Sequence, residues 1–532
     1  MSLGLFDIVG PVMHGPSSNH TGGANRIGYV ARQIVGGLPE EVTFSFHPIF
    51  MNFFQGQRSD VALMSGMLGF REDDERCNSS LSLAAEKDVA IEYRALDDPD
   101  ASRDTMCVST CLNGIDWCIN GISIGAGNII ISAINGVDVR FDGNGCITLF
   151  LLEKGTPTEA ATAYLESAAP ENFKAAFSGE NEHHTLLCFD TIEPLSCEAM
   201  GDVTGELCKL DSEAVVYSVQ VDSLYPFAER SKQKPLFSTY AKMLELAREK
   251  PLIEVVLEYE SRRSLRSREE ILQEGLRVVD IIEKSMTRGL EGDNPLVGGL
   301  CTGSDGKAVQ LHSRDANNIC GYTFNAALAR AIAMAEVNAS AGRVVAVPTA
   351  GSAGTLPGTL FTVAERYGRN RKALAEAFLV AAAIGIVVGN SASFSGGTTG
   401  CQSEVGVGAC MGAGGSAYLA GGDAETIVHA AVLALKNVFG LSCDCPASPV
   451  EIPCIKRNAM GVSVALMAAE LALAGVRSVL PPDDIVFAFA DTQRWMPTEL
   501  CNADIGGLAA APYAKVLKAK WNARLEALRR NA

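Results

Sequence analysis

Glu229-Arg230-Ser231-Lys232-Gln233-Lys234 is a run of polar residues that separates two stretches of different character. On its N-terminal side, apolar runs such as Glu41-Val42-Thr43-Phe44-Ser45-Phe46 and Asn128-Ile129-Ile130-Ile131-Ser132-Ala133-Ile134 end in Gly or Asn-Gly signals. That pattern predicts strands and hairpins among a few helices, so residues 1–146 read as an α+β domain. Over 147–228, a strand-like Ile147-Thr148-Leu149-Phe150-Leu151-Leu152 leads into a helix-like stretch at 156–167, followed by strands around 185–190 and 214–221. This is a small β-α-β unit. From 235 to 532 the chain is rich in Ala, Gly, Leu and Glu, and the helical periodicities at 240–248, 267–290 and 424–439 predict a mainly α-helical domain. No short-period repeat is visible.

The 532 residues amount to roughly three domains at the usual ~150 residues each. With 47% apolar, 20% charged and 7% aromatic residues, disorder and fibres are excluded. Lys plus Arg number 44 against 62 Asp plus Glu, a formal charge of −18 that repels phosphate backbones and anionic membrane surfaces. No basic patch offsets it, so neither nucleic acid nor membrane is an expected partner. The first residues carry no Lys or Arg before Arg26 and place Asp7 inside their apolar run, unlike a secretory signal, and a cytoplasmic location is expected. Ala377 to Gly389 is the longest apolar stretch, shorter than the roughly 20 residues that span a bilayer, and reads as a buried helix. Sixteen cysteines in so long a chain point to a reducing compartment, with metal, cluster or core roles rather than disulfides.

Polar, Gly-rich loops interrupt these patterns. Gly15-Pro16-Ser17-Ser18-Asn19-His20-Thr21-Gly22-Gly23 gathers hydroxyls, an imidazole and backbone N–H groups ahead of a helical stretch at 24–35. Such a loop either caps the helix through Ser17 or Thr21 or presents an anion site at its N-terminus. His20 within it is a candidate acid, base or substrate ligand. Pro348-Thr349-Ala350-Gly351-Ser352-Ala353-Gly354 follows a strand-like 344–347 and matches neither nucleotide-loop pattern, so no nucleotide is implied.

Cys401 follows Ser395-Gly396-Gly397-Thr398-Thr399-Gly400, while Cys443 and Cys454 flank Asp444-Cys445-Pro446-Ala447-Ser448-Pro449-Val450-Glu451-Ile452-Pro453. No C-x-x-C occurs, so a zinc ribbon or ferredoxin-type cluster is not indicated. Loop thiols of this kind are either small buried apolar groups or three ligands of a cluster with one iron left open as a Lewis acid.

Ile8-Val9-Gly10-Pro11-Val12-Met13-His14-Gly15-Pro16-Ser17-Ser18-Asn19-His20-Thr21, Ser123-Ile124-Gly125-Ala126-Gly127-Asn128, Cys401-Gln402-Ser403-Glu404-Val405-Gly406 and Val450-Glu451-Ile452-Pro453-Cys454-Ile455-Lys456-Arg457-Asn458-Ala459-Met460-Gly461 resemble, with the 348–354 loop, the iron-sulfur-dependent L-serine dehydratases. The order of parts is that of the bacterial two-subunit type, β part then ACT-like βα module then α part, fused through the 229–234 linker. The resemblance implies a [4Fe-4S] cluster held by Cys401, Cys443 and Cys454, no pyridoxal phosphate, and conversion of a small amino acid to a 2-oxo acid and ammonia. It implies that Ser17, Ser18, His20 and Thr21 meet the cluster from the other domain, that Thr349, Gly351 and Ser352 line the same pocket, and that the protein is a homodimer or higher oligomer. The ACT-like turn usually read as Asp-Arg-Pro-Gly is Glu153-Lys154-Gly155-Thr156-Pro157 here, so an allosteric amino-acid site is not carried over.

Departures from the family pattern bear on substrate. Lys-Gly-His-Gly-Thr-Asp in the family is Gln55-Gly56-Gln57-Arg58-Ser59-Asp60 here, so Gln57 replaces a histidine and cannot act as a base. Arg58 replaces a glycine and adds a planar cation suited to a second carboxylate, phosphate or sulfonate. Leu-Arg-Glu-Thr before Gly-Gly-Leu-Ala becomes Leu500-Cys501-Asn502-Ala503-Asp504-Ile505, and His14 and Asn19 also differ from the usual residues. The expected catalytic residues are therefore His20, with His14 behind it, Ser18 and Asp60, and the expected substrate-binding residues Ser17, Thr21, Gln57, Arg58, Thr349, Gly351 and Ser352. Serine is the default substrate. A cysteine desulfhydrase, a lyase for an anionic β-substituted acid, a cluster-bearing sensor without a base, and a site closed by Cys445 or Cys501 are the alternatives.

Overall fold

Two segments far apart in sequence meet in one short antiparallel pair, Val12–His14 with Arg343–Val345, with Val12 opposite Val345 and His14 opposite Arg343. The structure, a computed structural model, describes residues 2–98, 100–501 and 505–531. Asn502, Ala503 and Asp504, part of the divergent C-terminal motif, lie outside the described residues.

The N-terminal part is mixed α/β. Its six-stranded sheet runs in the order Ala90–Ala95, Glu41–Phe46, Thr105–Leu112, Ile115–Gly125, Asn128–Ile134 and Val137–Phe141, antiparallel except for the first pair. Apolar residues alternate along Glu41–Phe46, so Val42, Phe44 and Phe46 are buried against the helices Ala24–Val35 and Ser59–Met67. Ile27, Val30, Ala31 and Ile34 form the buried stripe of Ala24–Val35 at helical spacing.

The second unit holds more structure than its sequence pattern shows. It is a βαββαβ arrangement with sheet order Val215–Val221, Cys146–Glu153, His184–Thr191, Phe173–Glu180, and the helices Glu159–Ala168 and Cys197–Leu207 pack together beside it. Phe173–Glu180 escapes detection because it is an edge strand, exposed along one side and interrupted by Ala175, Ala176 and Gly179. Cys197–Leu207 escapes because it buries only Val203 and Leu207 fully.

The C-terminal region is helical. Val405–Leu419 is buried along nearly all its length and runs against the helices Arg371–Gly389, Thr355–Arg366, Ala424–Lys436 and Cys454–Leu473. Glycines and alanines on all sides of this helix let its neighbours approach closely. Arg371–Gly389 is longer than its apolar stretch because Arg371, Lys372 and Glu376 extend it at the solvent end. Its length and composition would allow it to cross a membrane, but Phe378 to Val388 lie inside the helical core of the protein. The helices start where the caps place them, Arg268–Glu291 after a Ser267/Glu270 capping box and Ala424–Lys436 after Asp423.

The first thirteen residues, grouped by sequence with the α+β part, contribute Leu5, Ile8, Val9, Val12 and Met13 to the helical core. A buried network fixes them there. Arg263 pairs with Asp7 and Glu260, and Glu260 accepts the Leu5 N–H at 2.7 Å. The loop that follows, 15–23, is thereby delivered to the junction between the two halves of the chain.

Candidate active site

Ser17 accepts the His20 N–H at 3.1 Å and opens a π-helical turn, Ser18–Gly23, that runs directly into Ala24–Val35. Of the two cap readings, the Ser17 one describes this end. The Thr21 hydroxyl instead donates to the Gln57 carbonyl at 2.7 Å, while the Ser59 hydroxyl donates to the His20 carbonyl. These bonds hold His20 in a fixed place. Its Nε2 lies 2.8 Å from Asp104 Oδ1, and its ring packs at a tilt of 34° against Phe50 with centroids 4.4 Å apart. Asp104 in turn accepts from the Ser395 hydroxyl at 3.2 Å, and Asn19 bridges Ser395, Ser123 and the Gly125 N–H. The imidazole is thus oriented by a buried carboxylate, an arrangement that fixes ring direction and favours proton exchange through Nδ1.

The opposite wall comes from the helical half. Cys401, Cys443 and Cys445 are buried together with Cys454 against them. Cys401 Sγ, Cys443 Sγ and a Glu404 carboxylate oxygen lie within 4.8 Å of one another, and Cys445 Sγ lies 3.6 Å from Cys454 Sγ. Arg457 donates to Cys401 Sγ at 3.3 Å and pairs with Asp444, whose other oxygen accepts the Leu508 N–H. Burial works against the Arg457 cation, yet Cys401 and Asp444 raise its pKa above the ordinary value. Hydrogen bonds from Cys443 and Cys454 hold the Cys445 thiol well below its ordinary value. Cys454 opens the helix Cys454–Leu473, and its hydrogen bond with Cys445 and its burial hold its thiol well above the ordinary value. Glu451, just ahead of it, accepts the four backbone N–H groups of Gly298, Gly299, Leu300 and Cys301.

One cavity separates these walls, bordered by Ser17, Asn19, His20, Gln57, Gly351, Glu404, Cys443, Cys445 and Cys454. Thr349 donates to Glu404 at 3.0 Å and also bonds Ser352, so it positions Glu404. Gly351 is required by proximity, because a Cβ there would sit 2.8 Å from Glu404 Oε1. Burial pushes the Glu404 carboxyl up to about 7, against the Thr349 hydrogen bond. Asn458 ties the two motifs together, accepting from Gly354 and Thr355 N–H and donating to the Gly351 carbonyl. The two halves of the molecule meet at Gly56, where a Cβ would fall 2.3 Å from the Ser448 side chain, and at Gln57, which donates to the Ser448 carbonyl.

Several residues expected at this site lie elsewhere. Arg58 adopts the left-handed conformation (φ 57°), which turns its guanidinium away to Asn78 at 3.0 Å. It and Asp60 border a separate cavity of about 390 Å³ with Tyr93, Val297 and Trp521. The positive φ also accounts for the glycine that the family pattern has there. Ser18 is buried off the cavity wall, its carbonyl facing Gly127. His14 bonds the Ala341 carbonyl at 3.1 Å, and burial lowers its pKa. Asp104 and Glu404 are the site residues that sequence reasoning missed. Glu404 stands inside the quoted Cys401–Gly406 motif, whereas Asp104 carries no local signal.

A family model for the serine dehydratase alpha chain matches residues 247–509. A probable L-serine dehydratase alpha chain of Bacillus subtilis (strain 168) is 38% identical over 54% of this chain and 95% of its own length. The L-serine dehydratase alpha chain of Peptoniphilus asaccharolyticus is 34% identical over 53% of this chain and 97% of its own. The N-terminal part matches a probable L-serine dehydratase beta chain of Bacillus subtilis, 41% identical over 26% of this chain and 64% of that protein. The chain belongs to the serine dehydratase family and carries its beta-chain and alpha-chain parts in one polypeptide.

Proposed function

We propose that this protein is an L-serine dehydratase that converts serine to pyruvate and ammonia at the cavity between His20 and the cysteines. The observation that carries the reading is the convergence of Cys401, Cys443 and Cys454 from the helical half on the His20–Asp104 pair from the α/β half. The donor set suits an iron-sulfur cluster: Cys401 and Cys443 are buried, Cys454 is half-buried against them, all are soft, and Arg457 on Cys401 offsets thiolate charge. Cys401, Cys443 and Cys454 would hold a [4Fe-4S] group, which supplies Lewis-acid assistance to departure of the β-hydroxyl.

The remaining work falls to the chain. Ser17, Gln57 and Asn19 border the space for the substrate carboxylate and bind it there, the N–H groups of His20, Thr21 and Gly22 being taken by Ser17. His20, its Nε2 held by Asp104, takes the Cα proton at Nδ1 as the Cβ–O bond breaks, and the imidazolium then gives that proton to the departing hydroxide, which leaves as water. The resulting enamine tautomerises to an imine, and hydrolysis of that imine consumes one water, forms the 2-oxo acid and releases ammonia. The packed Gly56–Ser448 junction limits water entry. Arg58 faces Asn78, which favours serine over an anionic relative. The same proposal takes the βαββαβ unit as ACT-like, the three parts as 1–146, 147–228 and 235–532, and the assembly as a homo-oligomer.

The test is an anaerobic assay of the iron-reconstituted protein against serine, cysteine and dicarboxylic or sulfonated analogues, scoring 2-oxo acid and ammonia. Equimolar pyruvate and ammonia from serine is expected. Turnover of only an anionic analogue, or none with the cluster intact, refutes it.

A further inference from the structure

Arg58 and Asp60 take no part in the reaction as described, and they share a second cavity of about 390 Å³. The loop that presents Gln57 to the cysteine cavity turns Gln55 and Arg58 to this one. Two opposite charges border it from the α/β half: the half-buried Arg58 guanidinium and, in the first turn of Ser59–Met67, the buried Asp60 carboxylate. Burial lowers the Arg58 pKa from its ordinary value, and Asp60 opposes that shift. Most of the remaining lining is apolar or aromatic. Leu81 and Tyr93 supply it from the α/β half, and Trp521, Leu525 and Leu528 supply it from the last helix, Ala514–Asn531, at the spacing of one helical face. Arg524 anchors that helix by donating to the Leu296 and Val297 carbonyls at 3.1 and 2.7 Å. Arg58 keeps a left-handed backbone that glycine would hold without strain, and such positions concentrate at ligand clamps.

We propose that this cavity is a binding site for a free apolar L-amino acid such as leucine, its carboxylate on Arg58, its ammonium on Asp60 and its side chain against Tyr93 and Trp521. The volume falls at the small end of ligand sites, which run ~300–1,000 Å³. A cation and an anion in one cavity match the two ends of a zwitterion, whereas a plain carboxylate or a plain amine leaves one of them unmatched. The apolar lining disfavours a polar side chain, whose hydrogen-bonding groups would lose water without finding partners. Cys401, Cys443 and Cys454 do not border this cavity, so the site stands apart from the serine reaction.

The experiment is calorimetric titration of the full, anaerobically reconstituted chain, with tryptophan fluorescence read in parallel. The probes are L-leucine, L-asparagine as its polar counterpart of the same branched shape, 4-methylpentanoate without the amine and 3-methylbutylamine without the carboxylate. L-Leucine is expected to bind at a single site per chain and to change the fluorescence, and each of the other probes to bind about tenfold more weakly or worse. Arg58→Gly should weaken L-leucine binding about tenfold or more, and Trp521→Phe should abolish the fluorescence response while calorimetry still detects the site. Absence of L-leucine binding to wild type, or equal affinity for any of the other probes, overturns the assignment, and both readouts stand even where a variant does not fold. Unchanged affinity in Arg58→Gly, or an unchanged fluorescence response in Trp521→Phe, places the ligand elsewhere and overturns it too.

Discussion

His20 Nε2 and Asp104 Oδ1 are 2.8 Å apart, both side chains are buried, and 84 residues of sequence separate them. Asp104 sits at the start of the strand Thr105–Leu112, whose pairing with Ile115–Gly125 brings it beneath the 15–23 loop. Asp104→Asn keeps the shape and removes the charge that orients the imidazole. The expected result is a fall in kcat of about 10²-fold or more with little change in KM and unaltered iron content. Steady-state kinetics with iron analysis checks this, and wild-type kcat in the variant would remove His20–Asp104 from the mechanism.

Arg58 holds a left-handed backbone that costs a non-glycine residue about 1 kcal/mol, and its guanidinium reaches Asn78 rather than the cysteine cavity. Arg58→Gly is therefore expected to leave stability within about 1 kcal/mol of wild type and serine kcat/KM within about threefold. Thermal melts and serine kinetics measure both. A large rise in KM would restore Arg58 as a substrate residue.

Much of the site was legible from the sequence because its loops are short, polar and rich in chemistry-bearing side chains: His20 between hydroxyls, and cysteines beside glycine and proline. What stayed hidden depends on tertiary geometry. Nothing local marks Asp104, since an aspartate before a strand is ordinary. Arg58 and Asp60 looked like site residues because composition does not disclose the positive φ that turns the chain between Gln57 and Ser59. Leu5 to Met13 read as the start of an α+β domain, and only the Asp7–Arg263–Glu260 network reveals their place in the helical core.

Glu451 takes four backbone N–H bonds from the 298–301 loop and stands three residues before Cys454. Glu451→Gln replaces a charged acceptor by one that cannot serve all four. A loss of about 2 kcal/mol is expected, together with faster iron release to a chelator. Denaturant unfolding and chelation rates test it, and an unchanged rate would detach this loop from the support of Cys454.

Asp190 lies in the βαββαβ unit, where burial raises its carboxyl to about 6 despite the Lys174 ammonium at 3.1 Å. A carboxyl raised on folding stabilises the native state below its unfolded pKa, and that contribution is lost as pH rises through about 6. Asp190→Asn should therefore raise the melting temperature more at pH 8 than at pH 5, both pH values spanning that transition. The opposite ordering would mean that pairing with Lys174 outweighs burial.

The most direct test of a two-sided site is serine turnover by the anaerobically reconstituted chain, compared with His20→Ala and Cys443→Ser, with iron measured in the same samples. The proposed function predicts that wild type forms pyruvate and ammonia, that His20→Ala keeps its iron but loses about 10²-fold or more in kcat, and that Cys443→Ser loses both iron and activity. Wild-type turnover by His20→Ala, or full activity in an iron-free Cys443→Ser protein, would contradict it.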